Sequence, residues 1–353
     1  MKKIFHHPFF IRLFSWEYWP FHVVYSPIYF YWLWLCLKAR SFFFFNTANP
    51  SIKNGGFLME SKKEIYDLLP EGFYPRTVFF KAGTPIYDIA ESTGQMDLRY
   101  PLIGKPDIGM KALMVKKLET EKELAAYAAV SKIDFLIQEC VTWPNEIGIF
   151  YYRYPGEAKG HISGIVKKEF LSVTGDGQST IEELIKKNKR AILQLKILKE
   201  TYQEKITTVL KEGDEFVLVP YGSHFRGSKF TDISHRADDE LTTLIDTICK
   251  QVNGFYFGRL DIRYNTWEEL KQGKNFSIIE LNGAGSEPTH MYDPSHSLFF
   301  AWKEIIRHWK ILYRISKLNH HPETRPFMSS AMGIEMFRQH KEHKRLIAGS
   351  DVK

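Results

Sequence analysis

"FSIIELNGAG", Phe276 to Gly285, ends an apolar run in a carboxylate and a carboxamide two residues apart. Phe276-Ser277-Ile278-Ile279 reads as a buried strand. Residues i and i+2 of a strand face the same side, so Glu280 and Asn282 project together. Upstream, "FGRLDIR", Phe257 to Arg263, is a second strand-like run with Arg259 and Asp261 on one face. If the two strands are neighbours, Asp261, Glu280 and Asn282 converge as three hard oxygen donors. Arg259 then lies beside them.

The rest of the chain sets the frame around these runs. Its 353 residues, 44% hydrophobic and 25% charged, suit one large or a few small globular domains. The formal charge of +7 fits an anionic ligand or an anionic membrane surface. No zinc-finger spacing occurs and the lysines are scattered among acids, so no nucleic-acid partner is expected. Cys36, Cys140 and Cys249 are odd in number and far apart. They form neither a disulfide framework nor a metal site, which suits a reducing cytosol.

Residues 1–50 differ from the rest of the chain. "FSWEYWPFHVVYSPIYFYWLWLCLKARSFFFF" is crowded with aromatic residues, and Phe21 to Leu37 holds no Asp, Glu, Lys or Arg. The run is short for a spanning helix, which needs about 20 apolar residues. Lys2, Lys3, Arg12, Lys38 and Arg40 flank it, opposed only by Glu17. Three readings stay open: a helix packed into the protein's own core or a dimer interface, an anchor lying in a membrane interface, and a transmembrane span. The expected place is the cytosol, peripheral on the cytoplasmic face of a membrane. A chain shortened to start near Ser51 is expected to lose that attachment.

Beyond Ser51, helix-like segments (61–69, 85–92, 119–130, 180–188, 238–252, 297–316) alternate with strand-like ones (77–80, 102–105, 112–116, 135–139, 147–153, 164–173, 215–219, 255–263, 276–281). Strands followed by helices, with a late cluster of antiparallel-type strands, argue for an α+β fold with α/β layers. The tail after Leu318 reads as loop plus one short helix. In "YPLIGKPDIGMKALMVKK", Lys105 ends an apolar strand before a loop with Gly109, an arrangement that can bring an ammonium and backbone N–H groups to a phosphate. Glu139 ends one strand and Glu146 opens the next.

The order Lys62, Lys105 with its Gly109 loop, Glu139, Glu146, "GRLD" and "ELN" resembles the ATP-grasp superfamily, above all the D-alanine–D-alanine ligase and cyanophycin-synthetase branches. "GDGQSTIEELI", Gly175 to Ile185, is similar to a segment of the cyanophycin-synthetase and glutathione-synthetase-like branch. The resemblance covers about residues 60–294 and implies two α+β subdomains clasping ATP. The implied divisions are an aromatic helical segment (1–50) where the family has a leading α/β domain, a linker and the start of the nucleotide region (51–100), an N-terminal subdomain (101–160), a C-terminal subdomain with the metal site (161–317) and a polar basic tail (318–353).

The resemblance also implies roles. Lys62, in preference to Lys63, and Lys105 contact the α- and β-phosphates of ATP. The loop from Gly109 to Lys111 closes over them. Glu139, Cys140 and Val141 hold the adenine edge and Glu146 the ribose. Asp261, Glu280 and Asn282 bind two Mg²⁺ ions, or Mn²⁺ in their place. Arg259 steadies the transferring phosphoryl group and the later intermediate, with Gly285 and Ser286 as N–H donors. Lys229, with Arg226 as its rival, is a further phosphate contact. The implied activity is ATP-dependent joining of a carboxylate to an amine or thiol through an acylphosphate. A hydroxyl kinase and a non-catalytic nucleotide-binding protein are the alternatives. The sequence departs from the family after Asn282, where "NGAGSEPTHMYDP" places Glu287. That acid disfavours an amino acid's carboxylate as the second partner and suits an amine. The expected substrates are a small or lipid-like carboxylate and an amine, with a homodimer as a further expectation.

Overall fold

The computed structural model describes residues 7–109 and 113–350. Three short helices open it: α1 (Pro8–Phe14), α2 (Phe21–Tyr25) and α3 (Tyr29–Ala39). After α4 (Lys62–Leu68) comes a lobe made of β1 (Thr77–Phe80), α5 (Ile86–Gln95), β2 (Leu102–Pro106), β3 (Lys116–Leu118), α6 (Glu121–Val130) and β4 (Phe135–Glu139). Its four strands pair antiparallel in the order β1-β4-β2-β3.

The larger lobe begins with β5 (Asn145–Tyr152) and β6 (His161–Glu169). A small excursion follows: β7 (Leu171–Thr174), α7 (Ile181–Lys187), α8 (Leu195–Tyr202) and β8 (Glu215–Val219). The chain then returns through β9 (Lys229–Asp232), α9 (Asp239–Gln251), β10 (Phe257–Tyr264), α10 (Trp267–Lys271) and β11 (Phe276–Asn282). Two long helices, α11 (Leu298–Asn319) and α12 (Ser330–Ser350), complete the described chain. The main sheet is antiparallel, in the order β11-β10-β5-β6-β9, and β7 pairs with β8 alone. The α+β class follows directly from these layers.

Strand alternation divides the main sheet into two faces. Ile147, Ile149, Tyr151, Leu260, Ile262 and Leu281 pack with Leu241, Ile245 and Ile248 of α9. The other face changes character along its length. At one end Phe150 and Phe257 are covered by α11 and the aromatic segment. At the other end the same face carries Glu146, Lys168, Arg259, Asp261, Glu280 and Asn282, all lining a cleft between the lobes.

The aromatic segment is part of the core. Leu35, Cys36, Ala39, Phe44, Phe45 and Ala48 pack against Phe150, Phe257 and the Ile311, Leu312 and Ile315 stripe of α11. Val24, Tyr25 and Ile28 pack against Ala301 and Ile305 at the start of that helix. Asn49 fastens the end of the segment to β10. Its side-chain oxygen accepts from the Tyr256 and Phe257 amides at 2.9 and 3.0 Å, and its nitrogen donates to Gly55 O and Phe257 O at 2.9 Å. No described helix is long and apolar enough to cross a membrane.

Several expectations need correction. Ala112 lies outside the described residues, 113–115 are turn and coil, and the strand expected at 112–116 is replaced by β3, which starts at Lys116 and is held by the Leu102–Leu118 pairing. The run 164–173 is two strands, because β6 joins the main sheet while β7 pairs with β8. β1 shares a sheet with β2 and β4, and β5 pairs with both β10 and β6. The tail forms 21-residue α12 rather than a short helix. Its buried positions are Gly333, Met336 and Ile347, too sparse a stripe to declare a helix in advance.

Candidate active site

The pairing of β10 with β11 sets Asp261 opposite Glu280 and Arg259 opposite Asn282. Four polar side chains thus share one face. Asp261 opposes Gly148 of β5, and a Cβ there would lie 3.0 Å from the Asp261 carboxylate and 3.3 Å from Arg259 Cδ. The glycine leaves room for both side chains.

Asp261 is already held by cations. Arg259 donates through Nε at 2.9 Å and Nη2 at 3.1 Å, and Lys168 Nζ lies 3.0 Å away. Lys168 also reaches Glu146 Oε1 at 3.1 Å, and Arg263 lies 3.5 Å from Glu146 Oε2. Burial opposes the charge on Asp261, but Arg259 and Lys168 outweigh it and keep the carboxyl below its ordinary range. Burial likewise works against the Lys168 ammonium, and Asp261 with Glu146 more than offsets it.

Across the cleft, Lys105 on β2 is buried among oxygens. Its Nζ donates to Tyr66 Oη at 2.7 Å, Gln138 Oε1 at 2.8 Å and Ile279 O at 3.3 Å. Burial, reinforced by the charge of Lys62, pushes this ammonium down to about 7. Lys62 Nζ lies 3.6 Å from Glu280 Oε1, linking α4 to β11. Glu60, just before α4, has a buried Oε2 without a hydrogen-bond partner, and burial with the neighbouring Glu280 raises its pKa despite Lys62. Asn282 Nδ2 is buried and unpaired as well. Unsatisfied polar atoms on the wall of a cleft mark where a polar ligand fits.

A metal ion is tested by this donor set. Among the described residues no three His, Cys, Asp or Glu side chains cluster as a metal centre. Mg²⁺ needs fewer, since it keeps water and phosphate oxygens and takes one or two carboxylates from the protein. Glu280 and Asn282, adjacent on the cleft face, fit such an ion. Asp261 stands beside them with its oxygens engaged by Arg259 and Lys168.

The other expected residues divide. Gly109, Cys140 and Val141 line the cleft, and the Val141 carbonyl accepts from Arg263 at 3.4 Å. Lys111 lies outside the described residues. Glu139 lines the cleft, but its carboxylate pairs with Arg76 at 3.1 Å and its amide donates to Arg76 O at 2.9 Å. Glu146 is buried, ion-paired and accepts the Gly222 amide at 3.2 Å, a structural anchor rather than an open ribose contact. Lys229 is not part of the lining. It pairs with Glu169 at 3.3 Å, because the alternate residue Phe230 takes the inward face.

Gly285 and Ser286 also depart from expectation. The Gly285 amide donates to Gly56 O at 2.9 Å and the Ser286 amide to Gly283 O at 3.0 Å. Gly55 and Gly56, with φ of 67° and 74°, press so closely on this loop that a Cβ on Gly283 would lie 2.6 Å from Gly55 O. Both N–H groups are used within the protein, which leaves the side chains of Arg259 and Lys168 as the cationic donors on this face.

Lys168, Glu60, Arg263, Gln138 and Tyr66 were not foreseen. Lys168 had one local signal: in "GIVKKEF" it alternates with Gly164 and Val166, both inward. The N-terminal segment adds more. Tyr25 and Tyr292 donate to Glu287 Oε1 at 2.5 and 3.1 Å. The whole cleft measures about 2450 Å³ and continues from the charged face along Tyr25, Tyr29, Trp32, Phe42 and Trp309.

No protein-family model matches the chain, and a search of curated proteins finds no sequence match. In structure the chain is loosely similar to a glutathione synthetase, a D-Ala:D-Ser ligase and an ATP-grasp ligase. Against a bifunctional glutathione synthetase from Pasteurella multocida, the identity is 13%, the TM-score 0.38, and the match covers 72% of this chain and 38% of the other. Against a D-Ala:D-Ser ligase from Enterococcus faecalis the values are 15%, 0.40, 72% and 61%. Against the ATP-grasp ligase PsnB, complexed with a minimal precursor, they are 14%, 0.37, 70% and 60%. This chain therefore spans between about two fifths and three fifths of these structures, and the likeness is loose.

Proposed function

We propose that the protein is an ATP-dependent ligase that activates a carboxylate as an acylphosphate and joins it to an amine. The observation that carries this is the single cleft face bearing Arg259, Asp261, Glu280 and Asn282, with Lys62 and Lys105 on the opposite wall. Phosphoryl transfer asks a protein mainly for alignment and charge neutralisation. Lys62 and Lys105 would hold phosphate oxygens, and Glu280 with Asn282 would hold a Mg²⁺ carried by ATP, which would supply charge neutralisation. Arg259 neutralises the oxygens of the group being transferred. Asp261 and Lys168 hold that guanidinium in place.

The balance is that of two displacements. A substrate carboxylate oxygen attacks the γ-phosphorus, the bond to the β-phosphate oxygen breaks, and ADP leaves. The amine then attacks the acyl carbon, inorganic phosphate leaves, and the nitrogen loses a proton. The mixed anhydride needs a closed cleft to keep water from it.

Hydroxylamine tests the intermediate. A ligase supplied with its acid, Mg·ATP and hydroxylamine is expected to accumulate a hydroxamate. A stable phosphoester and no hydroxamate would assign a kinase instead.

Lys105 gives a second test that needs no acid. With its pKa near 7, the free side chain is mostly neutral at pH 8. A phosphate beside it favours the charged form, so Mg·ATP binding at pH 8 is expected to take up about one proton. At pH 6 the lysine is already charged and the uptake fades. Calorimetry in buffers of different ionisation enthalpy reads this directly, and Lys105→Met is expected to abolish it. Buffer-independent heats in the wild type would remove Lys105 from the phosphate site.

A further inference from the structure

We infer that the aromatic segment docks the protein on an anionic bilayer, and that the cleft it walls takes the hydrocarbon part of a substrate from that surface. The chemistry at the polar end rests on the ligase reading; the docking does not.

Helix α3 is apolar on two sides. Leu35, Cys36 and Ala39 are buried in the core. Phe30, Leu33, Trp34 and Leu37 stand on the outside at i, i+3, i+4 and i+7, with exposures of 79, 46, 47 and 74%. A stripe at that spacing is the mark of a helix facing an apolar phase. Phe9, Leu13 and Phe14 of α1 are exposed too. Concentrated outward aromatics of this kind mark an interaction surface rather than ordinary exposure.

Charge selects the occupant. Arg12, Lys38 and Arg40 are exposed, and Lys38 Nζ sits 4.4 Å above the Trp34 ring, at the margin of the stripe. Glu17, the sole acid of residues 1–50, is turned inward. Its carboxylate accepts from Arg190 at 2.5 Å and lies 3.0 Å from His224. Among the described residues of 7–50 the outer face is thus apolar with cations only, which complements anionic lipid. Two copies of it would set like charges against each other. No described helix is long and apolar enough to cross a bilayer, and a helix with an outward apolar stripe and basic margin lies in the interface plane.

Continuity selects the substrate. Tyr29 and Trp32 of α3, with Phe21, Val23 and Phe42, line the cleft that ends at Glu280 and Asn282. Ile334 of α12 lines it from the other side. The apolar wall meets the polar face at Glu287, held by Tyr25 and Tyr292. A carboxylate at this junction receives an amine rather than a second acid. The substrate class is therefore an amphiphilic amine, its alkyl or aromatic part along the N-terminal segment and its nitrogen towards Glu287.

The test uses the full chain, phosphatidylcholine vesicles with or without phosphatidylglycerol, and dodecylamine as the chain probe. The protein is expected to float with the phosphatidylglycerol vesicles and to be released by salt. Leu37→Glu and Phe30→Glu, at exposed positions, are expected to weaken flotation by about tenfold or more, the loss expected from one large apolar contact. Ile334→Glu is expected to leave flotation intact and to weaken dodecylamine binding, read by calorimetry, by a similar factor. Wild-type protein that ignores anionic vesicles overturns the inference. So does dodecylamine binding that Ile334→Glu leaves unchanged, or a dimer that Leu37→Glu dissolves in protein without vesicle affinity. Mg·ATP binding on the same samples separates the two readings. Vesicle and dodecylamine binding without Mg·ATP binding sinks the ligase, and Mg·ATP binding alone sinks the dock.

Discussion

Glu280→Gln is expected to lower ATP turnover by roughly 10²–10³-fold, the usual loss for one preorganised electrostatic partner, at an unchanged unfolding midpoint. The side chain is 37% exposed, and Lys62 Nζ lies 3.6 Å from it. An isosteric amide there removes charge without removing packing, so stability stays within about 0.5 kcal/mol. Asn282→Asp is expected to cripple turnover as well, since it adds charge to the same face. Asp261→Asn behaves differently. It leaves Arg259 and Lys168 facing a neutral group in a buried site, and a broken buried pair costs about 3–5 kcal/mol. Steady-state turnover beside urea unfolding separates these cases. Glu280→Gln with near-normal turnover and unaltered Mg²⁺ dependence would remove the metal role from β11.

Removal of residues 1–50 is expected to abolish folding, not merely to release the protein from a surface. Phe44, Phe45, Leu35 and Ala48 are 0, 2, 1 and 0% exposed. A large buried side chain contributes about 1.5–3 kcal/mol, so losing this set approaches the 5–15 kcal/mol that holds a typical domain together. The shortened chain also bares Phe150, Phe257 and the apolar stripe of α11. It therefore cannot report on membrane attachment, although composition alone suggests that it would. Asn49→Ala is the milder companion. It strips acceptors from the Tyr256 and Phe257 amides, and an unsatisfied buried donor costs about 1–3 kcal/mol each. Circular dichroism and urea unfolding check both. Cooperative melting of the shortened chain at the wild-type temperature would show the segment to be dispensable.

Which side chains share a face was legible in the sequence, because strand alternation is local. Arg259 with Asp261, and Glu280 with Asn282, pair off by alternation alone, and the α+β class is read from the order of strands and helices. That these two strands are neighbours depends on a register of hydrogen bonds between them, and only the folded chain decides it. The same holds for Lys168. Its alternation with Val166 was visible, but its place between Glu146 and Asp261 comes from β5 and β10, which lie on either side of it in sequence. The Gly285 amide looked free because its acceptor, Gly56 O, lies more than two hundred residues upstream, while the Ser286 amide turns back onto Gly283 O within the loop itself. For the N-terminal segment, composition determined that it must leave water. Burial is non-directional and scales with apolar area, so composition could not say into what. The stripe of α11 decided it for Leu35, Phe44 and Phe45, and left Phe30, Leu33, Trp34 and Leu37 facing outward.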